Sequence, residues 1–278
     1  MSLTIATSNV HDHDDFPFDP VVFESVWRME ERHFWHAARN EWILEALRDH
    51  GVRPPARLLD VGCGSGAVAC FLSRQGYRVT GIDTCVELLE KANLRCPEGD
   101  FIAGDVAALE ATHDAVFDAV GFFDVLEHLE DPVGFVQSAV KCLRPGGLVL
   151  ATVPALRWLH SAIDDLAGHK RRFDRGELGA LLASAGLKRS EEYGIFRASL
   201  PVLAIFRLGA RRQAAHELSE ANRREMLHRN LRVPPRPINR AMALLCAAER
   251  RLGLARARGK VGATALAAAY KSTETTHG

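Results

Sequence analysis

Leu58-Leu59-Asp60-Val61-Gly62-Cys63-Gly64-Ser65-Gly66-Ala67 runs from an apolar stretch through a glycine turn into a helix start. The first four residues have the pattern of a buried strand. A strand that ends in glycines before a helix opens a wound α/β unit. The glycines let the backbone take positive φ and approach a ligand closely, and the helix that follows presents free N–H groups at its N-terminus. Outward from this stretch, short apolar runs alternate with helical ones. Strands are expected at Tyr77–Ile82, Phe101–Gly104, Phe117–Phe123, Gly147–Val153 and Lys188–Phe196. Helices are expected at Gly66–Gln75, Cys85–Leu94, Val133–Cys142 and Arg175–Ala185. The alternation predicts an α/β fold, a Rossmann-like and mostly parallel sheet with helices on both faces.

The flanks read differently. Residues 1–19 are polar and aperiodic and are expected to be a flexible tail. Residues 20–50 turn helical, with Phe34, Ala38 and Trp42 at spacing four and Ile43 and Leu47 extending the stripe. They read either as helices packed on the core or as a cap over a binding site. After the core at 51–197, residues 198–261 form an Arg-rich helical block broken by Pro234, Pro235 and Pro237. Residues 262–278 hold one more apolar strand and a C-terminal tail. A helical block between two strands is an insertion, with Met242, Leu245 and Leu252 as the positions expected to pack.

Composition narrows the class. The chain has 278 residues, 47% hydrophobic and 25% charged, which excludes a disordered chain, a collagen and a disulfide mini-protein. No run approaches the roughly eighteen apolar residues of a membrane span. The stretch from His11 to Asp15 is acidic where a signal peptide would be basic. Six cysteines without a CxxC read as reduced thiols, so a cytoplasmic protein is expected. The net charge of zero hides a split. Residues 201–260 carry thirteen Arg and one Lys against four Glu, a net of +10; residues 1–50 carry ten acids against four Arg, a net of −6. Such segments can attract each other within the chain or across a homodimer. A nucleic-acid partner is not expected, because Phe206 is the lone aromatic in 201–260 and base stacking needs more.

The glycine loop alone also fits a dinucleotide fingerprint through Gly62, Gly64 and Ala67. Asp60 decides. Its carboxylate, two residues before Gly62, would repel a pyrophosphate and attract a ligand with an ammonium and a sulfonium. S-adenosylmethionine has both charges. Asp83 ends the next strand and can take two ribose hydroxyls. Asp105 ends the third, where it can accept from an adenine amino group. A nicotinamide-dependent oxidoreductase is disfavoured by Asp60 and Asp105, and a non-enzymatic protein of the same fold remains the other alternative.

Leu58–Gly66, the strand end at Asp83, Gly104-Asp105, Phe117-Asp118, Asp124-Val125-Leu126-Glu127-His128 and Leu143-Arg144-Pro145-Gly146-Gly147 resemble, in order and spacing, the class I S-adenosylmethionine-dependent methyltransferases. The resemblance covers residues 56–196 and is nearest to the bacterial small-molecule branch that includes ubiquinone-biosynthesis O-methyltransferases. It implies a seven-stranded sheet whose last two strands, 188–196 and 262–271, form a reversed hairpin, with the cofactor over the strand C-termini. It implies that Asp60, Gly62, Cys63 and Gly64 hold the methionine end and Asp83 and Thr84 the ribose. Gly104, Asp105 and Val106 would hold the adenine, with Phe123 and Asp124 beside the sulfonium. The implied activity is methyl transfer to an oxygen or nitrogen of a small-molecule acceptor.

Transfer to a hydroxyl needs a base, and His169, His128 and His160 are the candidates. The acceptor pocket is expected from Trp35 of the N-terminal helices and from Trp158, His160, Arg171 and Arg172 after the fifth core strand, with the two arginines as an anion clamp. If Asp124, Glu127 and His128 lie on a helix, they share one face and offer a ligand set for a divalent cation. In ubiquinone-type relatives the matching residues can hold one; in the wider family they are metal-free, and no metal is expected here.

Overall fold

The structure is a computed structural model that describes residues 4–5, 20–109, 113–210, 219, 222, 225–226, 231–253 and 261–273. Its centre is one sheet in the order β1-β4-β3-β2-β5-β6-β8-β7. The strands are β1 (Thr4–Ile5), β2 (Arg57–Val61), β3 (Arg78–Asp83), β4 (Asp100–Ala103), β5 (Phe117–Phe123), β6 (Leu143–Pro154), β7 (Lys188–Ile195) and β8 (Thr264–Tyr270). Strands β1 to β6 run parallel, and β8 is antiparallel to both β6 and β7. The seven strands expected from the sequence are all present, with the last wedged between its two neighbours. Its composition explains the position: Ala265, Ala267, Ala268 and Ala269 are buried, so a strand covered on both faces uses small side chains.

The eighth strand corrects an expectation. Thr4 and Ile5 lie inside the segment read as a flexible tail, yet they pair in parallel with Ile102 and Ala103 at the sheet edge. The rest of that segment, including the acidic run from His11, lies outside the described residues, as do 211–218, 254–260 and 274–278.

Helices α1 (Pro20–Arg32) and α2 (Phe34–Asp49) lie between β1 and β2, and α3 (Ala67–Arg74), α4 (Val86–Arg95), α5 (Pro132–Lys141), α6 (Ala162–Leu166) and α7 (Glu177–Ser184) connect the later strands. Two apolar layers result. One joins α2, α3 and α4 to a sheet face through Trp42, Leu47, Leu72 and Leu89; the other joins α5 and α7 to the opposite face through Val136, Leu178 and Leu182. Helix α2 is therefore core as well as cap: Trp42, Ile43 and Leu47 are almost fully buried.

The insertion contributes α8 (Leu200–Ala210) and α9 (Arg236–Arg251). Helix α9 packs on α2, and the charge split finds an intramolecular outlet, with Arg250 3.0 Å from Glu45 and 3.4 Å from Glu41. The packing face is only in part the expected one. Met242 is half-buried on the face of the buried Cys246 and Glu249, whereas Leu245 and Leu252 are exposed. The reason is the turn after β7, which leaves the N–H groups of Arg197 and Ala198 pointing at α9. Glu249 accepts both, at 2.9 and 2.8 Å, and so fixes which face turns inward. Replacing Glu249 with Ala leaves two half-buried donors without their acceptor and should cost about 1–3 kcal/mol, read as a lower urea midpoint; an unchanged midpoint would show that this turn does not hold the insertion.

Candidate active site

Three acids meet where three adjacent strands end. The loop after β2 is hooked over β3 by Gly62 and Cys63, whose N–H groups both donate to the Ile82 carbonyl at 2.8 and 3.1 Å. Gly62 has φ +71°, and a Cβ there would stand 2.5 Å from Cγ2 of Val125, so only glycine permits the loop to close on the turn after β5. Asp83 braces the loop: Oδ2 accepts from the Gly64 N–H at 2.8 Å and Oδ1 from the Cys85 N–H at 2.9 Å, with Thr84 between. Asp105 follows Gly104 and turns back to accept from the Ala107 N–H at 2.9 Å, above a buried Val106. Asp60 is buried, and its Oδ2 has no partner. Burial pushes this carboxyl up to about 7, against the pull of Arg39 and with a smaller push from Asp83. A buried carboxylate oxygen without a donor, beside a glycine cradle, fits a ligand with an ammonium group. Cys63 offers no thiolate, since burial pushes its thiol far up.

Helices α1 and α2 close this region from above. Glu30 of α1 accepts from the Ser65 hydroxyl in the glycine loop and from Arg95 at 3.0 Å. Arg95 also reaches the Ser65 hydroxyl at 3.0 Å and the Trp27 carbonyl at 3.2 Å. From α2, the buried Arg39 pairs with Asp124. Asp124 has φ +58°, a left-handed conformation that Asp tolerates better than most residues. It is held there by its N–H to the Thr152 carbonyl at 2.9 Å and by its Oδ1, which accepts from the Thr152 hydroxyl at 3.0 Å. His36 Nδ1, Arg39 Nε and Asn40 Oδ1 share one face of α2, buried and without partners. These residues and the Glu30–Arg95 pair were missed in the sequence. The available signal was polar side chains inside an apolar helical stripe.

The acceptor side is built by the turn after β5 and the segment after β6. Leu126–His128 is a 3-10 turn, so the one-face arrangement of Asp124, Glu127 and His128 does not form. Left-handed Asp124 turns toward Arg39 and Thr152. Glu127 is fully buried with both oxygens unpartnered, and burial, reinforced by Asp124, raises its carboxyl well above the ordinary range. The rings of His128 and His169 meet edge to face with centroids 4.8 Å apart. His128 Nδ1 lies 3.2 Å from the Gly168 carbonyl and His169 Nδ1 3.1 Å from Asp164. Carbonyls and carboxylates only accept, so each Nδ1 carries a proton, and the neutral form of either ring has its lone pair at Nε2. Burial, with His169 adding, lowers His128 to about 4. Glu127, His128 and His169 each bring a potential ligand atom within 4.8 Å of the others. His169 thus takes the place expected for Asp124.

Behind His169 lies Asp164, fully buried. It accepts from Arg172 at 2.7 and 2.9 Å and from Arg207 of α8 at 2.7 Å. Burial alone would raise this carboxyl; the His169 hydrogen bond and both guanidiniums outweigh it and hold it well below the ordinary range. The anion clamp is corrected accordingly. Arg172 is buried and spends its donors on Asp164 and on the Ala155 carbonyl at 2.9 Å, and Arg171 donates to the carbonyls of Leu129 and Glu130 at 2.8 and 3.3 Å. Trp35 stacks on Phe196 with centroids 3.8 Å apart, His160 sits 3.6 Å from Asp165, and Trp158 is exposed. Of the expected catalytic and acceptor residues, His128 and His169 touch each other, and Arg172 joins His169 through Asp164.

Comparison with known proteins agrees with this geometry. Residues 59–151 match a family model described as a methyltransferase domain. The chain is 31% identical over 180 residues to a ubiquinone biosynthesis O-methyltransferase of Xanthomonas axonopodis pv. citri, covering 59% of this chain and 74% of that protein. It is 39% identical over 121 residues to the protein of that name from Xanthomonas campestris pv. campestris, covering 42% of this chain and about half, 51%, of the relative. Among solved structures, phosphoethanolamine N-methyltransferase 2 of Haemonchus contortus, bound to S-adenosyl-L-methionine, superposes with a TM-score of 0.61 at 16% identity over 96% of this chain and 60% of that one. A methyltransferase of Thermotoga maritima superposes with a TM-score of 0.55 at 17% identity over 90% and 95%. No helix among the described residues is long and apolar enough to cross a membrane.

The Asp164 hub yields a stability test. Asp164→Asn leaves two buried guanidiniums undercompensated and should cost about 3–5 kcal/mol. A lowered carboxyl contributes stability that is complete above the ordinary carboxylate range and is lost as pH falls through the depressed value. The acid limb of the wild-type stability curve should therefore be steeper than the variant's, in urea melts taken down the pH scale; parallel limbs would refute the role given to Asp164.

Proposed function

The chain belongs to the class I S-adenosylmethionine-dependent methyltransferases, and from that premise we propose that it methylates an oxygen or nitrogen atom of a small molecule, a hydroxyl being the acceptor the site suits best. The observation that carries this reading is the pair of imidazoles with open Nε2 lone pairs, His128 and His169, set beside the ends of β5 and β6. In this reading Asp60, Gly62, Cys63 and Gly64 hold the methionine end of the cofactor, Asp83 and Thr84 the ribose, and Gly104, Asp105 and Val106 the adenine. Phe123 and Asp124 line the space beside the sulfonium. When bound, S-adenosylmethionine supplies a methyl carbon already activated for displacement.

The chain's own work is to exclude water, align the acceptor and take its proton. Helix α2 excludes water through the Arg39–Asp124 contact. His169 is the base, with Asp164 fixing its tautomer. His128, lowered to about 4, is too weak a base to hold a proton near neutrality and instead accepts a hydrogen bond from the acceptor. The nicotinamide alternative has no support from the family. The protein's setting is proposed to be cytoplasmic, with no nucleic-acid partner.

One observation favours a second reading, in which Glu127, His128 and His169 hold a divalent cation that orients the acceptor. Against it stands the size of the ligand set, three protein atoms from Glu127, His128 and His169, with Asp124 turned away to Arg39. Turnover is expected to survive dialysis against EDTA; loss restored by a divalent cation would assign the cluster to a metal.

Two further outcomes are expected. Asp60, at about 7 without ligand, is largely protonated below that pH and cannot pair with an ammonium. Affinity for S-adenosylhomocysteine should rise between about pH 6 and 8, by at most tenfold per unit, and calorimetry on Asp60→Asn should show a flat profile; equal slopes would remove Asp60 from the site. His169→Gln should lower kcat by about a hundredfold or more with cofactor affinity unchanged, once screening labelled-methyl transfer into metabolite extracts has identified an acceptor. Normal turnover would move the base elsewhere.

A further inference from the structure

A cavity of about 570 Å³ lies between the end of α1 and the start of α9, and no residue of the strand ends lines it. Four of its walls are arginines, Arg28 and Arg32 from α1 and Arg232 and Arg236 from the insertion, and among the described residues that line it none is an acid. Arg32, Arg232 and Arg236 have no ion pair among the described residues.

Convergent guanidiniums repel, so their placement needs a cause, and the scaffold supplies it. Asn239 on the first turn of α9 accepts from the Phe34 N–H at 2.9 Å and donates to the Arg32 carbonyl at 2.8 Å. It thereby clamps α9 to the α1–α2 junction. Pro234, Pro235 and Pro237 stiffen the approach. Helix α9 is 16 residues long and begins without a side-chain cap, so its positive end adds to the same field. The same α1 turns a different face to the glycine loop, where Glu30 meets Ser65. The arginine cavity is therefore separate from the cofactor region and anchored to its lid.

We propose that this cavity binds a phosphate group. Guanidiniums match phosphate oxygens in bidentate pairs, the Asn239 clamp holds together the two helices that carry them, and the volume admits the molecule that carries the phosphate. That molecule is either a soluble phosphomonoester or a lipid headgroup. Ile238, Leu245 and Leu252, exposed at spacing seven along α9, give the second source a neighbouring apolar stripe.

The full chain and its Arg232→Gln/Arg236→Gln variant are titrated by calorimetry with glycerol 1-phosphate, and with chloride at matched ionic strength. Both are also floated with phosphatidylcholine vesicles with and without phosphatidic acid. Binding of S-adenosylhomocysteine, expected to be equal in both proteins, controls for folding. The site is supported if glycerol 1-phosphate binds and the variant binds about tenfold or more weakly, which assigns a soluble phosphoester. It is also supported if only phosphatidic acid vesicles bind and the variant loses them, which assigns a lipid headgroup. Equal binding by wild type and variant, binding matched by chloride, or no binding in either arm overturns it.

Discussion

The contact between Arg39 and Asp124 is the constraint on which the site's construction depends. It joins the helix before β2 to the residue that leaves β5, across 85 positions of sequence. Both ends are prepared for it. Asp124 accepts a left-handed backbone that costs on the order of 1–3 kcal/mol, and the Thr152 hydroxyl and carbonyl hold it there. Arg39 gives up water on a helix whose neighbours Trp42 and Ile43 are core residues. A guanidinium buried this way needs a carboxylate, and Asp124 is the partner it finds. Remove the pair and α2 keeps its apolar anchor but loses the reason to sit over the strand ends.

The pair also sets the charges around it. Two carboxyls near Arg39, those of Asp60 and Glu127, are pushed up by burial against its pull. With Asp124 taking the guanidinium, the interior retains acids that are ready to ionise when a cation arrives. In the proposed reading Asp60 serves that purpose on the glycine-loop side. On the other side, His128 and His169 are each held through Nδ1. One floor of strand ends would thus divide into a region that favours positive charge and a region that accepts a proton. Methyl transfer from a sulfonium to a hydroxyl calls for both.

What the sequence disclosed follows the range of the interactions. Asp60, Gly62, Asp83 and Asp105 were legible because each hangs on a local signature, a strand end followed by a turn, and the strand order then brings them together. The final strand was legible for the same reason, since a seven-residue run that is apolar after Thr264 and is followed by Lys271 allows few alternatives. Arg172 was misread because its fate is tertiary: Asp164 is eight residues away, and Arg207 comes from the insertion. The turn at Asp124 stayed open in the sequence because a helical spacing of three and four says nothing about a backbone that a distant arginine and threonine hold at positive φ. Thr4 and Ile5 are too short a run to stand out, and their pairing is decided by the open edge of β4.

The insertion shows how a charge imbalance in sequence becomes geometry. A chain that leaves β7 must return to β8 beside it, so the intervening helices have to fold back over the molecule. Helix α9 does so on α2, where Arg250 meets Glu41 and Glu45 and where Glu249 satisfies two backbone donors. These contacts use one arginine of α9. They leave Arg236 at its opposite end beside Arg32, because the clamp at Asn239 that completes the docking also draws the two together. Docking an Arg-rich helix on an acidic one thus neutralises its C-terminal end and concentrates positive charge at its N-terminal end. An anion at that cavity would relieve the repulsion that docking creates, and would tighten α1, whose other face holds Ser65 of the glycine loop.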